Sequence, residues 1–393
     1  MTRIVVIGGG AAGINTAQAL ARKLTPADNT EVVVLEKNAY FYHVVGAPRA
    51  YVDASYTNTM FIPYDNAIPK SAAAFVKIVR GVATSISADS NEVSYHAIDS
   101  SDNESEATEK LPFDYLVFAT GSTYSVPIKQ DVHNFARSAT EAKLHEVRSH
   151  IENAEKIVVV GGGAVGCEVA AEIKAKYPNK SVTIVDANNK LIAGNNLTDK
   201  FYKRLTKSID KLGIVVVSGE RLTERLSGNS LEKRTLRTDK GTEIESDIQL
   251  LCGGFSPVAT LVQEMDSALV TDRGSIKVNA QLQLESEKFG HMFALGDVCN
   301  HPAPKMAFIA AEQGRFLAGE MVAVIRKKQL GFSKPFKAPG TAAMVLPLGP
   351  SGGISQLPVW GGVVFGDWFT RMIKSKDYFA KMTWASLGAT APN

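Results

Sequence analysis

The chain is poor in several features that would announce a chemistry. It has three cysteines in 393 residues, Cys167, Cys252 and Cys299, too far apart in sequence to form a CxxC-type pair. A dithiol relay needs two sulfurs within bonding reach, so no local redox pair exists and small packing residues are expected instead. No stretch of about 18 uncharged apolar residues occurs, which excludes a membrane-spanning helix. Neither sign of charge dominates: 43 basic side chains face 40 acidic ones, a net of +3. That balance argues against nucleic acid as a partner. No metal site is expected. Strand-like sequence begins at Arg3, leaving no room for a leader peptide, and Thr2 stands where N-myristoylation requires glycine. A cytoplasmic protein is the expectation.

What is present is duplicated. Ile4-Val5-Val6-Ile7 runs into Gly8-Gly9-Gly10-Ala11-Ala12-Gly13, and Ile157-Val158-Val159-Val160 runs into Gly161-Gly162-Gly163-Ala164-Val165-Gly166. Each copy reads as a buried parallel strand, a glycine turn and a helix N-terminus. In a GxGxxG turn the first glycine permits the bend, the second admits a pyrophosphate close to the backbone, and the third lets helix pack on strand. The helix N-terminus then offers free N–H groups and a positive dipole end. One copy alone is weak evidence, since glycine turns also join strands to helices for structural reasons. Here each copy has its second half: a strand ending in Glu36, and another ending in Asp186. A carboxylate at that place accepts hydrogen bonds from ribose hydroxyls. Two complete motifs imply two bound dinucleotides.

The remaining chain fits an α/β protein of two Rossmann-like dinucleotide-binding domains and a smaller C-terminal α+β domain. With 45% hydrophobic residues the chain can bury more than one core. The loop Asn38–His43 follows the first βαβ unit. The polar run Asp99–Glu106 reads as a solvated hairpin tip or a disordered loop. Tyr115-Leu116-Val117-Phe118 leads into Ala119-Thr120-Gly121, and Ile248-Gln249-Leu250-Leu251 into Cys252-Gly253-Gly254. Further on stands Ala294-Leu295-Gly296-Asp297, and then a tail with Trp360, Trp368 and Trp384.

That order of motifs resembles the two-dinucleotide flavoprotein family, in particular its apoptosis-inducing-factor-like branch and the ferroptosis-suppressor group within it. Ala47-Pro48-Arg49-Ala50, Glu168–Ile173, Thr238–Glu243, Pro304-Lys305-Met306-Ala307 and Lys374-Ser375-Lys376-Asp377 carry the branch likeness, which extends over nearly the whole chain. The resemblance implies FAD on the first fingerprint and NAD(P)H on the second. The implied domains are 1–125 and 256–325 for FAD, 126–255 for NAD(P)H, and 326–393 at the C-terminus. It also implies hydride transfer from NAD(P)H to FAD, then electron delivery to a ubiquinone-like acceptor. Disulfide reductases of this architecture carry two cysteines just after the first acid, whereas Lys37–Val52 contains none.

By the same resemblance, Gly8, Gly9, Gly10, Ala11, Ala12, Gly13, Glu36, Arg49, Val82, Thr120, Gly121, Asp297, Met306 and Ala307 would contact FAD. Asp297 would reach its ribityl or pyrophosphate part, and Val82 the adenine through its backbone. Gly161, Gly163, Gly166 and Asp186 would hold the nicotinamide dinucleotide, with NADH preferred over NADPH because Asp186 repels a 2′-phosphate. Lys190, a few residues on, could soften that preference. Glu168 is assigned to the face where hydride passes, against the plainer reading of a carboxylate favoured by the helix dipole. Lys305, at the start of a helix aimed at the flavin, would stabilise negative charge; a solvated lysine is the plainer reading. For His43 and Arg49 a packing loop is an equal alternative. The tail is either a surface touching lipid and guiding a quinone, with the protein peripheral on a membrane or lipid droplet, or a domain packed on the flavin site. A ferredoxin or monodehydroascorbate reductase, or an NADH-sensing binding module, stays open as an alternative function.

Overall fold

In the computed structural model, which describes residues 1–131, 133–194, 196–338 and 343–392, both fingerprint strands lie at the centre of parallel sheets. Continuous β-branched runs suit that position, because a parallel sheet is covered on both faces. Ile4, Val5 and Val6 are fully buried, as is Val159. Thr2–Ile7 lies between Thr30–Glu36 and Tyr115–Phe118. Lys156–Val160 lies in the same way between Ser181–Asp186 and Ile248–Leu251. Each central strand thus has its acid-bearing strand on one side and, on the other, the strand that leads into Ala119-Thr120-Gly121 or Cys252-Gly253-Gly254.

The first sheet has seven strands and gains Met292–Ala294 at one edge. At the other side the strand Val76–Ser87 pairs in parallel with Thr30–Glu36 up to Arg80. From Gly81 it pairs antiparallel with Glu92–Ile98. A Cβ at Gly81 would come within 2.7 Å of Tyr95 and 2.8 Å of the His96 carbonyl, so the bend requires glycine. The polar run is a hairpin tip: Asp99 caps the turn by accepting from the Ser101 and Asn103 amides, and Glu104 opens the next strand. The loop after Glu36 holds a short strand, Tyr40–Tyr42, paired with Phe61–Pro63. The second sheet has four parallel strands ending in Ile214–Ser218.

The tail forms a three-stranded antiparallel sheet, Met344–Pro347, Gly353–Leu357 and Val363–Phe365, followed by short helical segments. Its last helix, Ala380–Ser386, packs Trp384 and Leu387 with Ile14 of the first fingerprint helix. Gln18 of that helix donates to the carbonyls of Ala67 and Ser386. The segment before it lies on the second fingerprint helix, Ala164–Lys176. There Arg49 forms a bidentate pair with Glu172 at 2.7 and 2.9 Å and donates to the Ser375 carbonyl at 2.8 Å. Tyr378 donates to the same carboxylate at 3.0 Å. His43 bonds the Tyr378 carbonyl at 2.9 Å through Nε2, and burial pushes its pKa down to about 4, so the ring is neutral and donates.

This knot joins the first domain, the second fingerprint helix and the tail, and its charges are buried. Breaking a buried pair from one side leaves the other charge uncompensated, which costs about 3–5 kcal/mol. Arg49→Met is therefore expected to destabilise the protein by that order, with Arg49→Met/Glu172→Met recovering most of it. Denaturant titration of the parent and the two variants checks this; a single variant as stable as the parent would show the pair to be idle.

Candidate functional site

Both glycine turns are built alike. Gly8 and Gly161 have φ of +101° and +114°, and an added Cβ would come within 2.5 Å of the Ala119 carbonyl oxygen or 2.7 Å of Gly253. The Ala-Thr-Gly and Cys-Gly-Gly motifs are therefore the neighbouring strand ends against which each turn closes. A Cβ at Gly13 would lie 1.8 Å from the Gly8 carbonyl oxygen, and one at Gly166 1.9 Å from that of Gly161, so both helices start hard against their turns. Gly10 and Gly163 face open space and cap helices that have no side-chain cap. Their first-turn N–H groups are left without a capping side chain, the arrangement that suits an anion.

The acids are buried and already engaged. Glu36 accepts from the Gly9 amide, and from the Asn38 amide and side chain at 2.8 and 2.7 Å. Asp186 repeats the pattern with Gly162 and Asn188, the latter at 2.6 and 2.8 Å. Each turn is thus linked to its acid before any ligand is considered. Among the described residues one buried side-chain polar atom lacks a partner, Asn38 Oδ1. It is an acceptor beside Glu36 and suits the donor chemistry of an adenosine ribose or amine. Val82 is half-buried and lies two positions past Arg80, the register partner of Glu36. Tyr64, which the sequence reading overlooked, donates to the Gly9 carbonyl at 3.0 Å.

Asp297 comes back to this turn. Gly296, at φ +74°, sits 3.3 and 3.5 Å in Cβ terms from Ala310 and Ala12, and its amide donates to Gln313 at 2.7 Å. Two helix N-termini, at Ala11 and Ala307, therefore converge on the Gly296-Asp297 loop. Gly314 makes that convergence possible, since a Cβ there would lie 2.6 Å from the Ala12 carbonyl oxygen. Asp297 also accepts from Ser122 at 2.7 Å and pairs with Lys129 at 3.2 Å. Thr120 donates to the Val258 carbonyl at 2.6 Å, while Gly121, at φ +71°, is open on its Cβ side.

For Lys305 and Arg49 the expected placement needs correction, and for Glu168 the plainer alternative does. The helix after Pro304 starts at Ala307 with Met306 as its N-cap, so Lys305 precedes it. The Lys305 ammonium is turned into the loop, donating to the carbonyls of Cys299 at 2.6 Å and of Gly296 and His301 at 3.2 Å. It thus braces the Gly-Asp loop, and the exposed helix start consists of Ala307 and Phe308. Arg49 has its Nε and Nη2 committed to Glu172 and Ser375, the packing role rather than an open flavin-lining one.

Glu168 is the third case. It is the fifth residue of its helix and 4% exposed, not a first-turn carboxylate in water. Its partner is Lys374 of the tail at 2.7 Å, which also donates to the Val345 carbonyl at 3.2 Å. Burial pushes the carboxyl above its ordinary pKa, while the lysine opposes that rise. Lys374, Glu172 and Tyr378 were not foreseen as partners. The available signal was two carboxylates at i and i+4 within the otherwise apolar run Cys167–Ile173, each of which must meet a cation if buried.

All three cysteines are free and buried. Burial pushes the thiols up, to about 12 for Cys252, so none is a ready thiolate.

Compared with known proteins, residues 2–314 match the family described as pyridine nucleotide-disulphide oxidoreductase. The chain belongs to that family. It is 29% identical over 394 residues to apoptosis-inducing factor homolog B of Dictyostelium discoideum, covering 96% of this chain and 94% of the relative. It is 28% identical over 392 residues to human ferroptosis suppressor protein 1, covering 99% and 96%. The sulfide:quinone oxidoreductase of Aquifex aeolicus superposes with a TM-score of 0.75 at 17% identity, over 100% of this chain and 93% of that one. The water-forming NADH oxidase of Lactobacillus brevis, bound to NADH, gives 0.60 at 20% identity, over 91% and 75%. These two likenesses concern the fold. Like the rest of the family, the protein is a flavin-dependent NAD(P)H oxidoreductase, with FAD and NAD(P)H as its cofactors.

The Glu168–Lys374 pair yields a pH test. Lys374→Met removes the charge that opposes the raised pKa, so the carboxyl should stay protonated to higher pH. The acid limb of the pH profile for flavin reduction by NADH is expected to move upward, and to vanish in Glu168→Gln. Identical profiles in parent and both variants would remove the pair from the NADH side of the reaction.

Proposed function

We propose that the protein is an NAD(P)H:quinone oxidoreductase that works without a redox disulfide. The observation that carries this reading is the absence of any usable dithiol: Lys37–Val52 has no cysteine, and the three thiols present are buried and free. Bound FAD would supply the redox chemistry, accepting hydride from NAD(P)H and yielding electrons to a small acceptor. A quinone is the acceptor class named for the sulfide:quinone oxidoreductase neighbour. The working domain boundaries are 1–125 with 256–325 for FAD, 126–255 for NAD(P)H, and 326–393 for the tail.

In this reading the chain's own residues bind and orient. The turn Gly8–Gly13, Glu36 and the Gly296-Asp297 loop hold FAD, with the two helix N-termini facing its phosphates. Lys305 fixes that loop from behind. Gly161, Gly163 and Gly166 receive the second pyrophosphate, and Asp186 takes the ribose. Glu168, held by Lys374, lines the nicotinamide side as a positioning residue, where small displacements are costly to rate.

A panel of acceptors at fixed NADH tests the proposal. Quinones should be reduced at rates well above ferredoxin, monodehydroascorbate or disulfides, and Cys167→Ser/Cys252→Ser/Cys299→Ser should retain most of the activity. Flavin reduction without any quinone turnover would refute it.

Cofactor choice gives a separate expectation. NADH should be favoured over NADPH, since the Asp186 carboxylate lies where a 2′-phosphate would have to sit. Lys190 is drawn aside over the Tyr202 ring, 4.0 Å from its centre. Asp186→Ala should narrow the ratio of kcat/KM values for the two donors; equal ratios in parent and variant would reject the assignment.

A further inference from the structure

The second domain and the tail together display a surface that the reaction does not use. Helix Asp199–Lys211 buries Phe201, Leu205 and Ile209 and turns Lys200, Lys203, Arg204, Lys207 and Lys211 to solvent. Only two acids, Asp199 and Asp210, share the helix. None of the four lysines forms an ion pair with a described residue, so the face is a strip of uncompensated positive charge.

The tail sheet packs along this helix. Gln356 accepts from the amide and hydroxyl of Thr198, the helix N-cap, both at 2.9 Å. A Cβ at Gly362 would come within 2.9 Å of Thr198, and one at Gly366 within 2.8 Å of the Arg204 guanidinium. The turn Val359–Gly362 and the short helix Asp367–Thr370 therefore stand beside the basic strip. They carry the most exposed large apolar side chains of that region: Trp360 at 96%, Trp368 at 77%, Met372 at 58% and Val359 at 45%. Arg371 and Lys376 add charge among them. Trp360 is held at φ +46°, a conformation unfavourable for any side chain bearing a Cβ, at a point where the fold's interior gains nothing from it. The adjoining Gly361 and Gly362, at φ +78° and +107°, make a tight turn that projects it.

We propose that this surface docks the protein on an anionic lipid bilayer, with Trp360, Trp368 and Met372 in the interfacial layer and the helix Asp199–Lys211 over the headgroups. Tryptophan favours the boundary between headgroup and acyl chain, and each lysine near an anionic surface adds attraction. Apolar side chains flanked by cations fit a lipid surface better than nucleic acid, which would leave Met372 and Val359 without partners. The contact is peripheral, since no described helix is long and apolar enough to cross a membrane. It stands apart from the choice of acceptor, and its test does not read turnover.

The FAD-loaded protein is floated with vesicles of phosphatidylcholine alone or of phosphatidylcholine with phosphatidylserine. Binding is expected only to the anionic vesicles and to weaken with salt. Tryptophan emission should shift to the blue on binding; Trp384 is buried, so Trp360 and Trp368 supply the change. Lys200→Glu/Lys203→Glu/Lys207→Glu and Trp360→Ser/Trp368→Ser should each lower the bound fraction at least about tenfold. Both should keep the parental melting temperature and the parental content of bound FAD. Absence of flotation, equal flotation with neutral vesicles, unchanged flotation in both variants, or binding to DNA in place of vesicles would each overturn the proposal.

Discussion

Two carboxylates on one buried helix face dictate much of this molecule. Glu168 and Glu172 lie one turn apart on the second fingerprint helix, both almost inaccessible to water. A buried carboxylate without a cation is among the costliest arrangements a protein can hold. The helix itself supplies no cation on that face. Glu172 takes its cation from the first domain, as Arg49, and Glu168 takes its own from the tail, as Lys374. Satisfying one helix thus requires residues over a hundred positions away in both directions of the chain. Tyr378 and the Ser375 carbonyl then complete the shell.

Seen from that knot, the duplicated fingerprints are two instances of one steric solution. In each, a left-handed glycine closes against the end of a neighbouring strand, and a later glycine touches the carbonyl of the first. Each acid holds the amide of the middle glycine. The carboxylate proposed to take an adenosine ribose is therefore set in place by the turn itself, which limits the ordering needed on binding. The two copies differ in their surroundings. The first is overlaid by the Gly296-Asp297 loop and a second helix N-terminus; the second is overlaid by the tail.

Much of this was legible in the sequence because it is local. Glycines at fixed offsets, apolar runs of strand length and an acid at the strand end state the turn, the sheet and the place of the buried carboxylate together. The first glycine of each turn declares itself as well, since a Cβ at Gly161 would come within 2.7 Å of Gly253. What escaped was direction. Lys305 lies in the expected segment, yet its ammonium points back to three carbonyls, a choice set by loop geometry that no pattern records. Arg49 was named because the resemblance places it against the flavin, while the partner it meets is Glu172 on the second fingerprint helix. The tail looked like either a lipid-facing surface or a packing domain. It packs through Lys374, Tyr378 and Trp384, and leaves other aromatics bare.

Lys374 and Tyr378 lie far downstream of the second fingerprint helix, which has a consequence for biosynthesis. A nascent polypeptide has its fingerprints, strands and both acids well before these two side chains leave the ribosome. Domains fold as they emerge, N-terminal parts first. During that interval the second fingerprint helix carries Glu168 without its lysine and Glu172 without its tyrosine. Its final electrostatic state arrives only with Lys374 and Tyr378, so the order of synthesis also sets the order in which the two halves of the enzyme mature.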